Sequence, residues 1–451
     1  MGDHAGVDEE LEQYIMRRGN GLVSVGILVY LLSACSAGGG TDDGTKGQAP
    51  VPDPAGTINA ASCSRTDVGT AVSSAVSGTK VIVPAGSCLW NATLTLTRGI
   101  VLQGAGVDMT VITSTVLSGF DASIIRYEVA NPSLNEPVRI TGFTFDGNWN
   151  SGCVYFVRSG YSNSITITNV RMDHNRFTRC GSTSFPGRAL LVDGLTFGVI
   201  DHNIFLNNQK TFDDEDSDCF GWPFDAVYSP CGSGPAITMG GANSMYFEDN
   251  ELTNNDTRSS LFTSGGQGGR YVIRYNTFNS VGNTATGQHF DIHAEITDSG
   301  TVSAEIYNNT LTTNANAYQF VDHRGGTARI FNNKIIKSGS IDFQMREETG
   351  SGNYPLIYQI RDSFYFNNTY GPTTGSETQA TPFVSQGGTY VQLNRDYFNA
   401  TPGLDASRPG PCTDNTYWGA TDTGKVYKCH PANTWTTYYT PYTYPHPLQS
   451  W

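Results

Sequence analysis

Short runs of apolar and β-branched residues alternate with polar turns along most of the chain, and helical periodicity is confined to one segment. That segment, residues 67–77, places Val68 and Ala71 on one face. The spacing predicts an amphipathic helix with Asp67 as its N-cap, and Gly78 follows as a stop. The rest of the pattern predicts an all-β protein built from many short strands.

Seven strand-and-turn units share one feature, an Asn at the same place in each. Examples are RMDHNRF, GVIDHNIF, VIRYNTF and ARIFNNKI, and neighbouring Asn residues are 24 to 47 positions apart. Intervals of about 25–30 residues match one coil of a solenoid, and longer ones match a coil with a loop insertion. We expect each Asn to occupy a left-handed bend and its amide to bond the next coil's Asn. The seven residues are Asn175, Asn203, Asn250, Asn276, Asn309, Asn333 and Asn368.

A strand-like KVIVPAG at 80–86 and a turn-like LQGAG at 102–106 follow the predicted helix. Together with the units at 304–335, this arrangement resembles pectate-lyase-like right-handed parallel β-helix proteins. The resemblance implies a single-stranded right-handed parallel β-helix over residues 58–370, with an N-terminal capping helix that covers the open end of the stack. We expect residues 371–451 to form an irregular C-terminal segment that packs on or caps the helix.

The N-terminus has the features of a targeting signal. Two arginines follow Met16, an apolar run covers residues 22–32, and Leu-Ser-Ala-Cys ends at Cys35. These features predict a signal peptide over residues 1–35 that ends in a sequence resembling a bacterial lipobox, with Met16 as the true start and Cys35 lipid-modified. A secretory signal with a chance Cys is the alternative. A flexible linker, 36–57, follows. The expected location is the bacterial cell envelope, as an outer-membrane lipoprotein, or outside the cell.

The nine cysteines agree with an oxidising compartment. Setting Cys35 aside leaves eight, an even number that suits disulfides, although sequence alone does not determine connectivity. Short separations lead us to expect the pairs Cys63–Cys88, Cys153–Cys180, Cys219–Cys231 and Cys412–Cys429.

The net charge of -14 argues against a nucleic-acid partner, because phosphate binding needs a basic face and no Lys/Arg cluster is present. A polyanion would need a local basic patch. We expect a monomer whose partner is a polysaccharide.

Residues 287–348 contain GQHFDIHAEI, AYQFVDHRGG and SIDFQMREET, in each of which Phe precedes an ionisable residue by three positions. Matching the Phe residues places one column inward and another outward on successive coils, about 4.8 Å apart. Thr263, Asp291, Val321 and Gln344 follow these Phe residues and are also expected to point outward. The inward column is Phe262, Phe290, Phe320 and Phe343, and the outward column ends with His293, His323 and Arg346.

This outward cluster predicts a carbohydrate site for an acidic glycan. Arg324 and Arg346 are expected to neutralise a uronate carboxylate, with His293 or His323 as general base and Asp291 beside them. The predicted reaction is β-elimination by a polysaccharide lyase. The expected substrate-binding residues are Glu295, Gln344, Lys210 and Trp222.

Three other interpretations remain open at this point. Asp291 and Glu295 could be the paired carboxylates of a glycoside hydrolase, or the scaffold could be a non-catalytic glycan-binding adhesin. The cluster could also be a solvated ionic network that joins neighbouring coils.

An acidic run in the longest insertion offers hard oxygen ligands, which Ca²⁺ prefers. The candidate ligands are Asp213, Asp214 and Asp216, although the run lacks EF-hand spacing. A solvated acidic loop is the alternative.

Overall fold

Short strands stack into three long sheets that together form a parallel β-helix. The structure is a computed structural model, and it describes residues 55–115, 122–157, 166–182, 187–215, 239–256, 261–266, 268–283, 288–294, 301–314, 316–346, 359–372, 375–385 and 390–451. Almost all pairings between successive coils are parallel and in register, which confirms the predicted fold class.

The three sheets are numbered here by their first strand. Sheet 1 has, in order, Gly56–Asn59, Thr79–Ile82, Val101–Gln103, Val138–Thr141, Ile167–Asp173, Thr196–Asp201, Met245–Glu248, Arg270–Arg274, Ser303–Tyr307, Gly326–Phe331, Ile360–Phe366, Tyr397–Gly403, Tyr417–Ala420, Val426–Cys429 and Trp435–Tyr439. Sheet 2 has Gly181–Ser182 beside Asn150–Phe156, and its main path is Leu94–Leu96, Ser123–Tyr127, Asn150–Phe156, Arg188–Asp193, Lys210–Glu215, Leu261–Gly266, Gln288–Ile292, Gln319–His323, Asp342–Met345 and Pro382–Val384. Sheet 3 has Gly86–Trp90, Thr110–Ser114, Thr144–Asp146, Arg176–Thr178, Ile204–Leu206, Glu251–Thr253, Thr277–Ser280, Thr310–Thr313, Lys334–Ile336, Thr369–Gly371 and Thr378–Gln379.

The core is a stack of apolar residues that repeats from coil to coil. In sheet 3, Phe145, Phe177 and Phe205 pair in register, and their ring centroids lie 5.6 and 4.9 Å apart. All three are fully buried. Each coil therefore buries its apolar side chains against the coils before and after it, so the whole stack shares one core.

The predicted Asn ladder is present and buried. The backbone N–H of each Asn donates to Oδ1 of the next coil's Asn at 2.9–3.2 Å, from Asn175 to Asn368. The left-handed backbone lies one residue earlier than predicted, for example at His174 (φ 52°) and Asn308 (φ 55°). The Asn itself is needed because its amide satisfies backbone groups that the bend leaves without partners.

The N-terminal helix covers residues Arg65–Ser74 and buries Val68 and Ala71, as predicted. The prediction of Asp67 as N-cap is wrong, because Oγ of Ser64 accepts a hydrogen bond from the Asp67 N–H at 3.1 Å. A serine three residues before an acidic residue is a common helix start, and Asp67 instead lies in the first turn.

The C-terminal segment contains strands where an irregular structure was predicted. Four strands, from Tyr397–Gly403 to Trp435–Tyr439, extend sheet 1. The aromatic and Thr residues of these strands favour extended structure, and the prolines lie largely between them. Within the described residues, 3₁₀ turns occur at Asp405–Ser407 and Pro447–Ser450 in this segment and at Pro132–Leu134 earlier in the chain.

Three of the expected disulfides are formed, with Cα–Cα distances of 5.6–6.1 Å: Cys63–Cys88, Cys153–Cys180 and Cys412–Cys429. The expected pair Cys219–Cys231 and the lipidation candidate Cys35 lie outside the described residues. Within the described ranges, no helix combines the length and apolarity needed to cross a membrane.

Candidate functional site

Three neighbouring strands of sheet 2 carry the predicted site. They are the first site strand (Gln288–Ile292), the second site strand (Gln319–His323) and the third site strand (Asp342–Met345). Their parallel pairing aligns Phe290 with Val321 and Phe343, Asp291 with Asp322 and Gln344, and Ile292 with His323 and Met345.

The expected alignment of Phe with Phe is wrong by one residue in the second site strand. Phe290 pairs with Val321 rather than with Phe320, and the register to the third site strand shifts between Gln319 and Val321. The Phe290 and Phe320 rings still pack in the core, with centroids 4.8 Å apart. Val321, predicted to point outward, is fully buried in that core.

His323 therefore points inward, and its predicted place in the outward column is wrong. It shares an inward column with Ile292 and Met345 and is fully buried. Its Nδ1 accepts from Oη of Tyr365 at 2.6 Å, and its Nε2 donates to the Gly325 carbonyl at 3.0 Å. Burial lowers the pKa of His323 to about 4, so the ring is a neutral part of the core.

The corrected register brings a different set of side chains to the outer face. One outward row contains Asp291, Asp322 and Gln344. The residues that come directly after Ile292, His323 and Met345 form a neighbouring outward row. They lie just past the ends of the site strands, where backbone hydrogen bonds continue the parallel pairing. This second row contains His293, Arg324 and Arg346. We call the two rows together the outer cluster.

Arg324 joins two coils at the centre of the outer cluster. Its Nε and Nη2 donate to Oδ1 and Oδ2 of Asp291 at 3.1 and 2.7 Å. Nδ1 of His293 lies 3.0 Å from Asp291 Oδ2 and also contacts Arg324 Nη2. The His293 side chain is 26% exposed, whereas that of Arg324 is 10% exposed, so the imidazole lies nearer to solvent.

Arg346 repeats this contact one coil further. Its Nε lies 3.1 Å from both carboxylate oxygens of Asp322, and its Nη2 donates to Oδ2 at 2.8 Å. The Arg346 side chain is 36% exposed, while Asp322 is almost fully buried. Nη1 of Arg346 makes no hydrogen bond within the described residues.

Asp322 is a site residue that the sequence-based alignment missed. It lies in line with Asp291 and binds Arg346, and Gln344 completes the row and accepts from Nε2 of Gln319. A usable signal was present. Matching FDIH, VDHR and FQMR, instead of Phe with Phe, aligns two Asp with Gln and a His with two Arg.

Asp213 lies two coils before the outer cluster, in the row that leads through Ser264 to Asp291, whereas Lys210 is aligned with Leu261 and lies outside that row. Asp213 is buried and is bonded to Arg188 and, at 3.2 Å, to Lys210. Burial opposes ionisation of Asp213, but Lys210 and Arg188 outweigh it, and the pKa lies below its usual value. Lys210 is thus engaged with a carboxylate in this structure.

The two described members of the predicted calcium site point to opposite sides of sheet 2. Asp213 follows the outward row, whereas Asp214 pairs with Gly265 in the inward column and accepts from the Arg270 N–H at 2.7 Å. A shared site for these two carboxylates is therefore wrong, because alternate residues of a strand face opposite ways. No group of three His, Cys, Asp or Glu within the described residues is placed to hold a metal. Asp216, Glu295 and Trp222 lie outside those residues.

A second ionic cluster, on the outer face of sheet 1, holds the C-terminal segment. Arg274 is fully buried and donates to Glu248 at 2.5 Å, to Tyr307 Oη at 2.9 Å and to the Tyr442 carbonyl at 2.8 Å. Burial raises the pKa of Glu248 and of Glu305, which accepts from Oη of Tyr439. These groups are covered by the segment that they bind, which indicates a structural role.

Comparison with known proteins adds little to this geometry. No protein-family model and no curated protein matches the chain. A protein of Geobacillus virus E2, ORF18, is 11% identical over 82% of each chain, with a TM-score of 0.36. The A-module of the Azotobacter vinelandii mannuronan C-5 epimerase AlgE4 is 15% identical over 71% of this chain and 95% of that one, with a TM-score of 0.32. Similarity at this level does not bear on the function of the chain.

Proposed function

We propose that the outer cluster is the active site of a polysaccharide lyase that cleaves a uronate-containing glycan by β-elimination. The observation that carries the proposal is the convergence of His293, Arg324 and Arg346 on one outward face of three adjacent coils. Four types of ionisable or amide side chain meet there, and this density is typical of functional sites.

The arginines supply the local basic patch that a chain of net charge -14 needs in order to bind a polyanion. Arg346 is one-third exposed, and its planar guanidinium matches a carboxylate. Arg324 lies one coil away. A uronate carboxylate bound between them would have its charge neutralised, which makes the proton on the adjacent carbon more acidic.

His293 is the base in this proposal. Asp291 Oδ2 lies 3.0 Å from Nδ1, and Arg324 already donates two hydrogen bonds to that carboxylate. Arg324 Nη2, which can only donate, also contacts Nδ1. In this proposal Nδ1 carries the ring proton and donates it to Asp291 while Arg324 keeps its two bonds to the carboxylate, so that Nε2 carries the basic lone pair. His323 has no part in the chemistry, since it is buried among core residues.

The elimination balances with these groups alone. Nε2 of His293 removes the proton from C5 of the uronate, and the electron pair forms the C4=C5 double bond as the C4–O4 bond breaks. The imidazolium then returns a proton to the leaving O4. Arg324 and Arg346 stabilise the negative charge that develops on the carboxylate in the transition state.

Glycoside hydrolysis is less well supported by the same residues. A hydrolase needs one carboxyl group of a pair as proton donor, whereas Asp291 and Asp322 are each bonded to an arginine. Glu295, the other carboxylate considered for that role, lies outside the described residues.

The test is turnover of a panel of polyuronates, followed by the ultraviolet absorbance of the new double bond conjugated to the carboxylate. The expected result is absorbance that forms with wild type and forms roughly 10³-fold more slowly with His293→Gln. Release of reducing ends without absorbance would indicate hydrolysis instead. Deuterium incorporation at C5 from heavy water, without an unsaturated product, would also overturn the elimination step. Binding without turnover would indicate an adhesin.

The proposal extends to location and assembly: a monomer that is tethered to the bacterial cell envelope by lipid on Cys35, through the linker 36–57. Support comes from the sequence alone. Expression with a labelled fatty acid should label wild type, and Cys35→Ser should abolish the label and release the protein. An unlabelled wild type would contradict the anchor and leave the lyase proposal unaffected.

A further inference from the structure

We infer that Phe383 is a sugar-stacking platform one coil beyond the outer cluster, at the end of the outward row that contains Asp291, Asp322 and Gln344. The inference rests on the proposed function for the identity of the ligand, a uronate-containing glycan. Its evidence is separate, because it comes from the last strand of sheet 2 rather than from the ionisable residues.

Phe383 continues the outward row of the site. The strand Pro382–Val384 pairs with the third site strand, and this pairing aligns Phe383 with Gln344. Gln344 is aligned in turn with Asp322 and Asp291. Successive coils are separated by about 4.8 Å, so the ring lies one step from Gln344 and two from Asp322.

The orientation of Phe383 is set by its neighbours. Val384 aligns with the buried Met345 and packs against the core, so the residue before it must face outward. Phe383 is 50% exposed, and no other Phe among the described residues is exposed to this extent. Scattered exposed apolar residues are ordinary, but this one lies in the row of the candidate site.

The spacing suits a glycan that runs along the helix axis. A hexose residue in an extended chain has a length similar to the separation of coils, about 4.8 Å. With one uronate held by Arg324 and Arg346, a neighbouring sugar would lie over the position of Phe383. Sugar rings have faces of C–H groups that pack on aromatic rings, so an aromatic platform provides affinity without adding charge.

The position of Phe383 also marks where contact with the glycan would end on this side of the outer cluster. Within the described residues, Pro382–Val384 is the terminal strand of sheet 2. Phe383 would therefore contact the last sugar on that side, and it would distinguish oligosaccharides that extend to it from shorter ones that stop at Gln344.

The experiment measures KM and kcat on uronate oligosaccharides of increasing length for wild type, Phe383→Ala, Phe383→Leu and Phe383→Trp. We expect Ala and Leu to raise KM about tenfold for long substrates only, with kcat unchanged, and Trp to retain wild-type KM. Leu206→Ala, an exposed apolar residue on sheet 3, is the matched control and should change nothing. The Phe383→Leu variant keeps an apolar side chain but lacks the aromatic ring, so it distinguishes loss of the ring from loss of apolar surface. Circular dichroism checks that each variant is folded.

Affinity electrophoresis in a polyuronate gel separates the two proposals. If wild type eliminates but the Phe383 variants keep wild-type KM at every length, the platform is wrong and the lyase proposal stands. If wild type does not eliminate but Phe383→Ala, unlike Leu206→Ala, loses retardation in the gel, the platform stands without the lyase. No retardation of wild type and no turnover would overturn both.

Discussion

Arg324 and Asp291 lie on neighbouring coils and are joined by two parallel hydrogen bonds, Nε to Oδ1 at 3.1 Å and Nη2 to Oδ2 at 2.7 Å. Arg346 and Asp322 repeat this pairing on the next coil. The two pairs have different exposure, since the Arg324 side chain is 10% exposed and that of Arg346 is 36% exposed. This difference in side-chain exposure allows the effect of each arginine on stability to be distinguished from its proposed role in substrate binding.

Replacement of the two arginines by Gln should affect stability unequally. Arg324→Gln leaves Asp291 without its guanidinium in a nearly buried position, which costs roughly 3 kcal/mol. Arg346→Gln also removes a guanidinium from an almost fully buried carboxylate, but Arg324 Nε lies 3.9 Å from Asp322 and retains part of the compensation, so the cost should be smaller, about 1–2 kcal/mol. Urea denaturation followed by circular dichroism measures both, and both variants should lose elimination activity. Full turnover by Arg346→Gln would show that it does not hold the substrate carboxylate.

The two histidines that the sequence grouped together should behave in opposite ways. His293→Gln should lower turnover roughly 10³-fold, the contribution expected of a general base, with little effect on stability. His323→Met should keep turnover, because Met matches the neighbouring Met345, but the Tyr365 hydroxyl loses its acceptor at a cost of about 1–3 kcal/mol. Rates and urea midpoints for the pair provide the test. If His323→Met abolished turnover in a folded protein, the core role would be wrong.

Most of the β-helix scaffold can be predicted from the sequence, because its structural units repeat from coil to coil. The Asn ladder and the stacked Phe residues recur at each coil, so their spacing alone predicts a solenoid and an apolar column. The outer cluster is harder to predict, because one extra residue before Asp322 moves His323 from the outer face to the core. A displacement of one residue reverses the facing of every later side chain in a strand. The Phe spacing, which is the same in all three stretches, conceals it.

The C-terminal segment shows a second limit of prediction. Arg274 binds backbone carbonyls of Tyr442 and Thr443, more than 160 residues further along the chain. A local pattern does not reveal such partners. Residues such as Glu248 and Glu305 therefore resemble candidate site residues in isolation, and only the folded chain shows that the C-terminal segment covers them.

Loss of one Asn from the ladder should destabilise the fold more than loss of its neighbour. Asn276→Ala removes the acceptor of the Asn250 backbone N–H and two donors to carbonyls, all in the buried interior. We expect a cost of about 2–4 kcal/mol. Thr277→Ala, the next residue and an exposed one, should change stability by less than about 0.5 kcal/mol. Equal urea midpoints for the two variants would show that the ladder contributes nothing.

Three buried histidines should make the protein sensitive to mild acid. Burial lowers the pKa of His446 from 6.5 to about 3, and that of His289 and of His323 from 6.5 to about 4. Between these values the unfolded chain binds protons that the folded chain does not, so stability falls as the pH decreases from about 6.5 to 4. Each residue contributes about 3 kcal/mol to this loss.

The slope of unfolding free energy against pH should be compared between wild type and a His323 variant. The difference between the two slopes separates the histidine effect from that of the carboxylates, which titrate in the same range. His323→Met should reduce the slope between pH 6.5 and 4 by about one third of the histidine contribution. Thr277→Ala is the control, because Thr277 is exposed and its replacement removes no titratable group. This control should retain the wild-type slope. A His323→Met protein with an unchanged slope would mean that the buried imidazole accepts a proton without disturbing the core, and His323 would then have to be reconsidered as a titrating group.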